Sequence, residues 1–336
     1  MKGENSVGTF YLTEPYCFVR KESERLKVFK NQVLLKELRV QDFTRFFIHS
    51  SSTLTTDALM MLAEKGIDVV YFDGYDVAGR FIGPDNKNVR LRVAQVEMHL
   101  SEERSLHIAR NMVMAKLKNT RTSLQRYARR RKLHLDQPIQ SLKIAMKQCL
   151  TASDLNHLRG IEGMAARQYF EAFPLLIQKE DFPFHGRSRR PAKDPINAML
   201  NYGYALLRAE ISGALRAAGL DPYIGFLHRE RYGRESLALD MMEEFRCMLV
   251  DNLVVKLINQ GIIQVNDFQL DQGEPRLKKA ARKRFLQEFD KRRKDSVYHS
   301  FLEKKYTYRE ILHKQAILLA KCVKGELEEY YPFLAK

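Results

Sequence analysis

Between residues 8 and 48 apolar positions come in short runs broken by charged or turn-forming residues. The runs Thr9–Leu12, Cys17–Lys21, Arg25–Lys30, Val33–Leu38 and Arg45–Ile48, several rich in β-branched and aromatic residues, predict strands. Thr55 to Glu64 predicts a short capped helix, closed by Gly66 at the usual place for a left-handed cap. Asp68–Phe72 and Val77–Ile82 predict two more strands around Asp73-Gly-Tyr-Asp76. The cluster Gly83-Pro-Asp-Asn-Lys-Asn88 is a turn and a boundary. Beyond it the apolar period is helical. Helices are expected from Val89 to about Lys118, from Thr120 to Arg131, after Asp154 as N-cap, from Pro195 to Ala218 with Gly219 as its end, from Ser236 to Gly261, within Arg276–Lys294, and from Tyr308 to Leu327. The class is α+β: a small β-rich domain over residues 1–84, a linker at 85–88, and a larger all-α domain over 89–336.

Charge divides the chain at the same place. The 336 residues carry a formal +16. Residues 1–88 hold 12 basic and 12 acidic side chains, so the remaining 45 and 29 supply the whole excess. A neutral domain joined to a basic one implies that the second meets a polyanion. Arg126-Tyr-Ala-Arg-Arg-Arg-Lys132 is a basic run with an interleaved tyrosine. Arg276 to Lys294 is more basic still, with Phe285, Leu286 and Phe289 as an apolar seam and a cationic outer face. Either could be a solvated face or a phosphate contact. The stretch Gly186–Lys193 reads as a mobile basic loop that grips substrate or merely links helices. Cys17, Cys149, Cys247 and Cys322 are far apart with no Cys-x-x-Cys, which disfavours a zinc ribbon and suits reduced thiols in a cytoplasmic protein. There is no long apolar run for a membrane span and no signal-peptide core. A Gly-rich phosphate loop is absent, which disfavours an NTPase.

The candidate chemistry lies between Gly225 and Asp251. A loop carrying His228 leads to a helix with Ser236 as its expected N-cap. Asp240, Glu243, Glu244 and Asp251 share one side of that helix, within about 100° of arc at about 100° per residue. Four acids can be a solvated face. This helix, however, is apolar around most of its circumference, and buried acids need a cation or donors. A neutral imidazole with carboxylates suits Mg2+ or Mn2+.

His228 followed by Ser236-Leu-Ala-Leu-Asp-Met-Met-Glu-Glu-Phe-Arg246 resembles the signature of the CRISPR-associated protein 1 family, the integrases of CRISPR adaptation. Gly160-Ile-Glu-Gly-Met-Ala-Ala-Arg-Gln-Tyr-Phe170 resembles its glutamate motif, and Asp194-Pro-Ile-Asn-Ala-Met-Leu-Asn-Tyr-Gly-Tyr204 the opening of its central helix. Cys247 departs from the Pro that many members carry. The resemblance implies a β-sandwich-like N-terminal domain that dimerises and a helical catalytic domain. Glu162, His228 and Glu243 would hold Mg2+ or Mn2+, with Asp240 beside them as a further ligand or a support. The helical wheel by itself leaves Glu244 open in place of Glu243. Arg167 and Arg246, one turn on from Glu162 and Glu243, would neutralise developing charge or pair with the acids. Arg129, Lys278, Lys279 and Arg282 are further candidates for DNA contact. The implied reaction is attack by the 3′-hydroxyl of a short duplex on a repeat phosphodiester. The implied partners are protospacer and repeat DNA, a second copy of the chain, and a dimer of CRISPR-associated protein 2. A stand-alone metal-dependent DNase or a related transposon integrase would share the ligands. A non-enzymatic nucleic-acid binder would share only the charge.

Overall fold

The computed structural model describes residues 8–73, 76–83 and 88–335, which fall into two compact units, residues 1–86 and 87–336. Residues 85–87 of the expected linker, and Gly74 and Tyr75 of the expected turn, lie outside the described part.

The first unit holds β1 (Gly8–Leu12), β2 (Phe18–Glu22), β3 (Arg25–Lys30), β4 (Val33–Arg39), β5 (Phe43–His49), β6 (Thr53–Leu54), α1 (Thr56–Glu64), β7 (Asp68–Asp73) and β8 (Asp76–Phe81). Its described residues form two four-stranded sheets, in the orders β1-β5-β7-β8 and β4-β3-β2-β6. β5 and β7 pair in parallel, which needs a crossover, and α1 lies on that connection. Thr55 caps α1, its hydroxyl accepting from the Ala58 amide at 3.3 Å, a contact worth about 1 kcal/mol. Gly66 follows at φ +66°, where a side chain would be strained. One apolar cluster draws Val19, Leu26 and Val28 from one sheet, Phe46, Ile48 and Val69 from the other, and Met61 and Leu62 from α1. Strand β4 lies at a sheet edge with Val33, Leu34 and Leu35 exposed at 63%, 47% and 49%.

The second unit is mainly helical: α2 (Val89–Leu100), α3 (Glu102–Arg131), α4 (Asp136–Leu150), α5 (Leu155–Ala172), α6 (Pro195–Ala217), α7 (Ser236–Met242), α8 (Asn252–Asn259), β9 (Phe268–Asp271), β10 (Glu274–Leu277), α9 (Lys279–Lys294), β11 (Ser296–His299), β12 (Lys304–Thr307) and α10 (Tyr308–Val323). The α+β class holds, with one correction: the second unit is not all-α, because β9–β10 and β11–β12 form antiparallel hairpins. Their strands are four residues long, too short for a periodic signal to stand out. Nor is Val89 to Lys118 one helix. It breaks at Ser101, whose hydroxyl accepts from the Arg104 amide, and the next helix then runs unbroken to Arg131.

Helix α6 is the central rod. Asp194 Oδ1 accepts from the Asn197 amide at 2.7 Å, Pro195 fits the first turn, and residues on every side of the helix are buried. The basic loop before it is hydrogen-bonded to the start of the helix. Arg187 donates to Asn197 Oδ1 at 2.9 Å and Asn201 Oδ1 at 2.6 Å, and Asn201 Nδ2 donates to the Arg189 carbonyl at 2.6 Å. The cationic α9 also differs from expectation at Arg293. That residue is buried and paired with Glu210 at 2.8 Å and Asp290 at 2.5 Å, so it is a core ion pair and not part of the outer face.

Candidate active site

The stretch after α7 departs most from a simple wheel. Glu235, not Ser236, is the N-cap of α7 and makes no side-chain cap bond, while Ser236 Oγ donates to the Arg229 carbonyl at 3.1 Å. After Met242 the chain makes a turn and then a π-helical segment, Arg246–Asp251, before α8. Side-chain donors meet backbone carbonyls here: Asn119 Nδ2 reaches the Glu244 carbonyl at 2.9 Å and Arg292 Nε the Met248 carbonyl at 3.0 Å. The irregular turns break the 100° register, so the four acids do not share one environment.

Glu243 points to α3 and α5. Lys116 on α3 pairs with Glu162 of α5 and lies 2.6 Å from Glu243 Oε2, so its ammonium joins the two carboxylates. Arg246 forms an ion pair with Glu243 Oε1 at 3.1 Å and stacks over Tyr204 with its guanidinium carbon 4.8 Å from the ring centre. Burial pushes the Glu243 pKa up, but Arg246, Lys116 and His228 outweigh it and hold the carboxylate at about 2. Burial likewise disfavours the Lys116 cation, yet Glu243 and Glu162 raise its pKa above the ordinary value. The cleft around them is also lined by Tyr169, Arg187, Arg189, Tyr204 and Asp251. Asp251 accepts from Tyr204 at 2.5 Å and Tyr169 at 3.1 Å. Burial raises its pKa against those bonds.

Asp240 is fully buried and faces the His228 loop. Its Oδ2 accepts from the Phe226 and Leu227 amides at 2.6 and 2.9 Å, and its Oδ1 meets the His228 amide at 3.0 Å and His228 Nδ1 at 2.5 Å. With Nδ1 engaged by a carboxylate, Nε2 is the imidazole nitrogen left to bind. Gly225 makes this possible, since a Cβ there would stand 2.7 Å from Asp240 Oδ2 and 2.8 Å from Ser236 Cβ.

Glu244 faces the other way, into the C-terminal tail. It accepts from the Tyr330 hydroxyl, from the Phe333 amide at 2.8 Å and from Gln315 Nε2 at 3.3 Å. These donors are all neutral, and burial raises the Glu244 pKa to about 7 against their three bonds.

The remaining expected residues disperse. Arg167 turns to the surface and pairs with Glu171 at 3.0 Å, away from Glu162, because i,i+4 partners on one exposed helix face meet first. Arg129 is exposed in the last turn of α3. Lys278 donates to the Asn266 carbonyl at 2.8 Å, and Lys279 and Arg282 stand in the first turn of α9. Sequence reasoning missed Lys116. A single lysine in a long helix carries no local signal, and only the meeting of α3, α5 and the turn after α7 marks it out.

The charge arrangement suits a divalent cation, and a lysine holds its place. Two carboxylates from separate elements converge on one positive charge, and a histidine with its Nδ1 engaged adds its field to Glu243. Yet among the described residues no three His, Cys, Asp or Glu side chains are close enough as placed to share an ion. The ammonium of Lys116 takes the position between the acids.

A family profile described as CRISPR associated protein Cas1 matches residues 10–291. The CRISPR-associated endonuclease Cas1 3 of Thermus thermophilus is 38% identical over 342 residues, 100% of this chain and 99% of its own. Among solved structures, a casposase bound to integration product has a TM-score of 0.85 at 25% identity, over 97% of this chain and 93% of that one. A Cas6-RT-Cas1–Cas2 complex gives 0.83 at 25% identity, over 100% of this chain and 37% of that one.

Proposed function

The chain belongs to the Cas1 family of CRISPR-associated proteins, and from that premise we propose that it is a divalent-metal-dependent DNA endonuclease and integrase of CRISPR adaptation. It inserts short DNA fragments into a repeat array by attack of a 3′-hydroxyl on a phosphodiester. The observation that carries this reading is the convergence of Glu162 and Glu243, from separate elements, on one buried cation position, with the field of His228 reaching Glu243. Glu162, Glu243 and His228 Nε2 would hold Mg2+ or Mn2+. When bound, the ion supplies a Lewis acid for a phosphate oxygen and a template that brings a hydroxyl in line. Asp240 acts through His228, fixing its tautomer and ring; with both its oxygens engaged it is a support, not a ligand. Arg246, held over Tyr204, and Arg187 and Arg189 in the cleft wall offer positive charge to a five-coordinate phosphorus. No protein nucleophile is required, and water in place of the hydroxyl would give hydrolysis at the same site.

DNA is held by lysine and arginine away from this chemistry. A cleft of about 430 Å3 brings Arg126, Tyr127, Arg130 and Arg131 of α3 together with Lys256 of α8 and Lys291 and Arg292 of α9. The two basic runs of the sequence thus meet at one surface through Arg126, Arg130 and Arg131 of the first and Lys291 and Arg292 of the second; Lys278, Lys279 and Arg282, at the other end of α9, are a separate candidate contact. The exposed apolar edge of β4 supports dimerisation through the first unit, and the Cas1–Cas2 assembly among the similar structures supports a Cas2 dimer as partner.

The test is a gel assay for insertion of a short duplex into supercoiled target with Mg2+ or Mn2+. Ala at Glu162, His228 or Glu243 should abolish strand transfer while leaving DNA binding intact. Full activity in His228→Ala, or activity that survives chelation, would overturn the metal assignment, and DNA binding with no insertion or nicking under either metal would return the protein to the class of plain DNA binders. Nicking without joined product would favour the metal-dependent DNase.

A further inference from the structure

Two carboxylates brought together out of water repel each other unless a cation stands between them. Three cationic or potentially cationic groups act on Glu243. Arg246 takes its Oε1 at 3.1 Å, and His228 acts from its own bond with Asp240. Lys116 touches both Glu162 and Glu243. A compact charge on a flexible four-carbon stem suits a place that must be filled and vacated, whereas an arginine fork would lock it.

We propose that Lys116 is a built-in counter-ion that occupies the bridging position between Glu162 and Glu243 and must be displaced when a divalent ion binds there. The inference rests on the metal reading given above. An ammonium 2.6 Å from a carboxylate oxygen and a divalent ion bound to that same oxygen repel each other at close quarters. Metal affinity is therefore a difference: what the ion gains from Glu162, Glu243 and His228, less what Lys116 gives up. The lysine keeps the acids together and their charge balanced without metal, and it weakens binding of the ion that replaces it. Lys116 is in this sense a positioning residue.

Mn2+ alone is titrated into the full chain, with free ion read by electron paramagnetic resonance and thermal unfolding followed in parallel. Lys116→Met, of similar length and neutral, should bind Mn2+ about tenfold more tightly than the native chain. Its melting temperature without metal should fall, and Mn2+ should raise it by more than it raises the native protein's. Lys116→Arg should bind no more tightly than the native chain. A merely structural lysine would give the opposite sign, because a loosened site binds metal less well. Equal or weaker Mn2+ binding in Lys116→Met therefore overturns the proposal. Should that variant fail to fold without metal, Lys116→Gln is titrated with the same two outcomes. Glu243→Gln separates this inference from its premise. If it binds Mn2+ like the native chain, the metal reading itself has failed. If it loses Mn2+ while Lys116→Met gains nothing, only the role of Lys116 has failed.

Discussion

Glu243 and Glu244 are neighbours in the chain, both buried, and they live in different electrostatic worlds. Glu243 meets Arg246 and Lys116, which together with His228 hold its pKa at about 2. Glu244 opens on the C-terminal tail, where Tyr330, Phe333 and Gln315 offer only neutral donors and burial lifts it to about 7. Burial is common to both, so burial does not decide charge. The sign and number of the partners do. One acid is kept charged, and the other is built into the core as a hydrogen-bonding hub. Phe333 stacks on Phe245 at 5.6 Å and Asn119 ties the Phe333 carbonyl to the Glu244 carbonyl, so the tail braces the turn that carries Glu243.

The largest expected contrast is in strand transfer. Glu243→Ala should lower it at least about a hundredfold, the scale for removing a group that acts in the transition state, with the fold retained. Glu244→Ala should keep most activity wherever it is folded. Equal losses in the two variants would erase the distinction between them. Stability should show the reverse order. Glu244→Ala strands the Tyr330, Gln315 and Phe333 donors and should cost about 2–4 kcal/mol in urea unfolding, whereas Glu244→Gln should cost less than half of that.

A smaller effect separates binding from both acids. Reversing the charge of Arg126 or Arg130 should weaken DNA binding with melting temperature unchanged. The slope of log affinity against log salt should become shallower by about one for each phosphate that is no longer neutralised. An unchanged slope would move the DNA path to the first turn of α9. The smallest effect belongs to His299, which packs near Phe333 at 6.0 Å between centroids. Its Nε2 bonds Gln315 Oε1 at 2.7 Å and its Nδ1 accepts from the Leu302 amide at 3.2 Å, so the ring is neutral. Burial lowers its pKa below 6.5, although the Gln315 bond acts against that. A depressed histidine contributes stability that is present above its unfolded pKa and lost as pH falls through 6.5 toward the folded value. Melting temperature should therefore drop below about pH 6.5 in the native chain and drop less steeply in His299→Phe. Parallel curves would show that the tail brace does not titrate there.

Much was legible from neighbours in the chain. The caps at Thr55 and Asp154, the start at Pro195, the stops at Gly66 and Gly219, and the break in composition near residue 88 all follow from local backbone chemistry, and so they appear in the sequence. So do the identities of Glu162, His228 and Glu243 as candidates, through motifs of contiguous residues. A wheel could not tell Glu243 from Glu244, because it assumes a regular helix and the chain turns and passes into a π segment at that point. Nor could it find Lys116, whose partner Glu162 is 46 residues away, or the use of Asp240 as a support for His228. Charge pairing and burial depend on which surfaces meet. The sequence by itself determined which acids were present and where helices begin. Only the packing of α3 and α5 against the turn after α7, and of the tail beneath it, decided which acid keeps its charge, since Coulomb attraction and desolvation act across space and not along the chain.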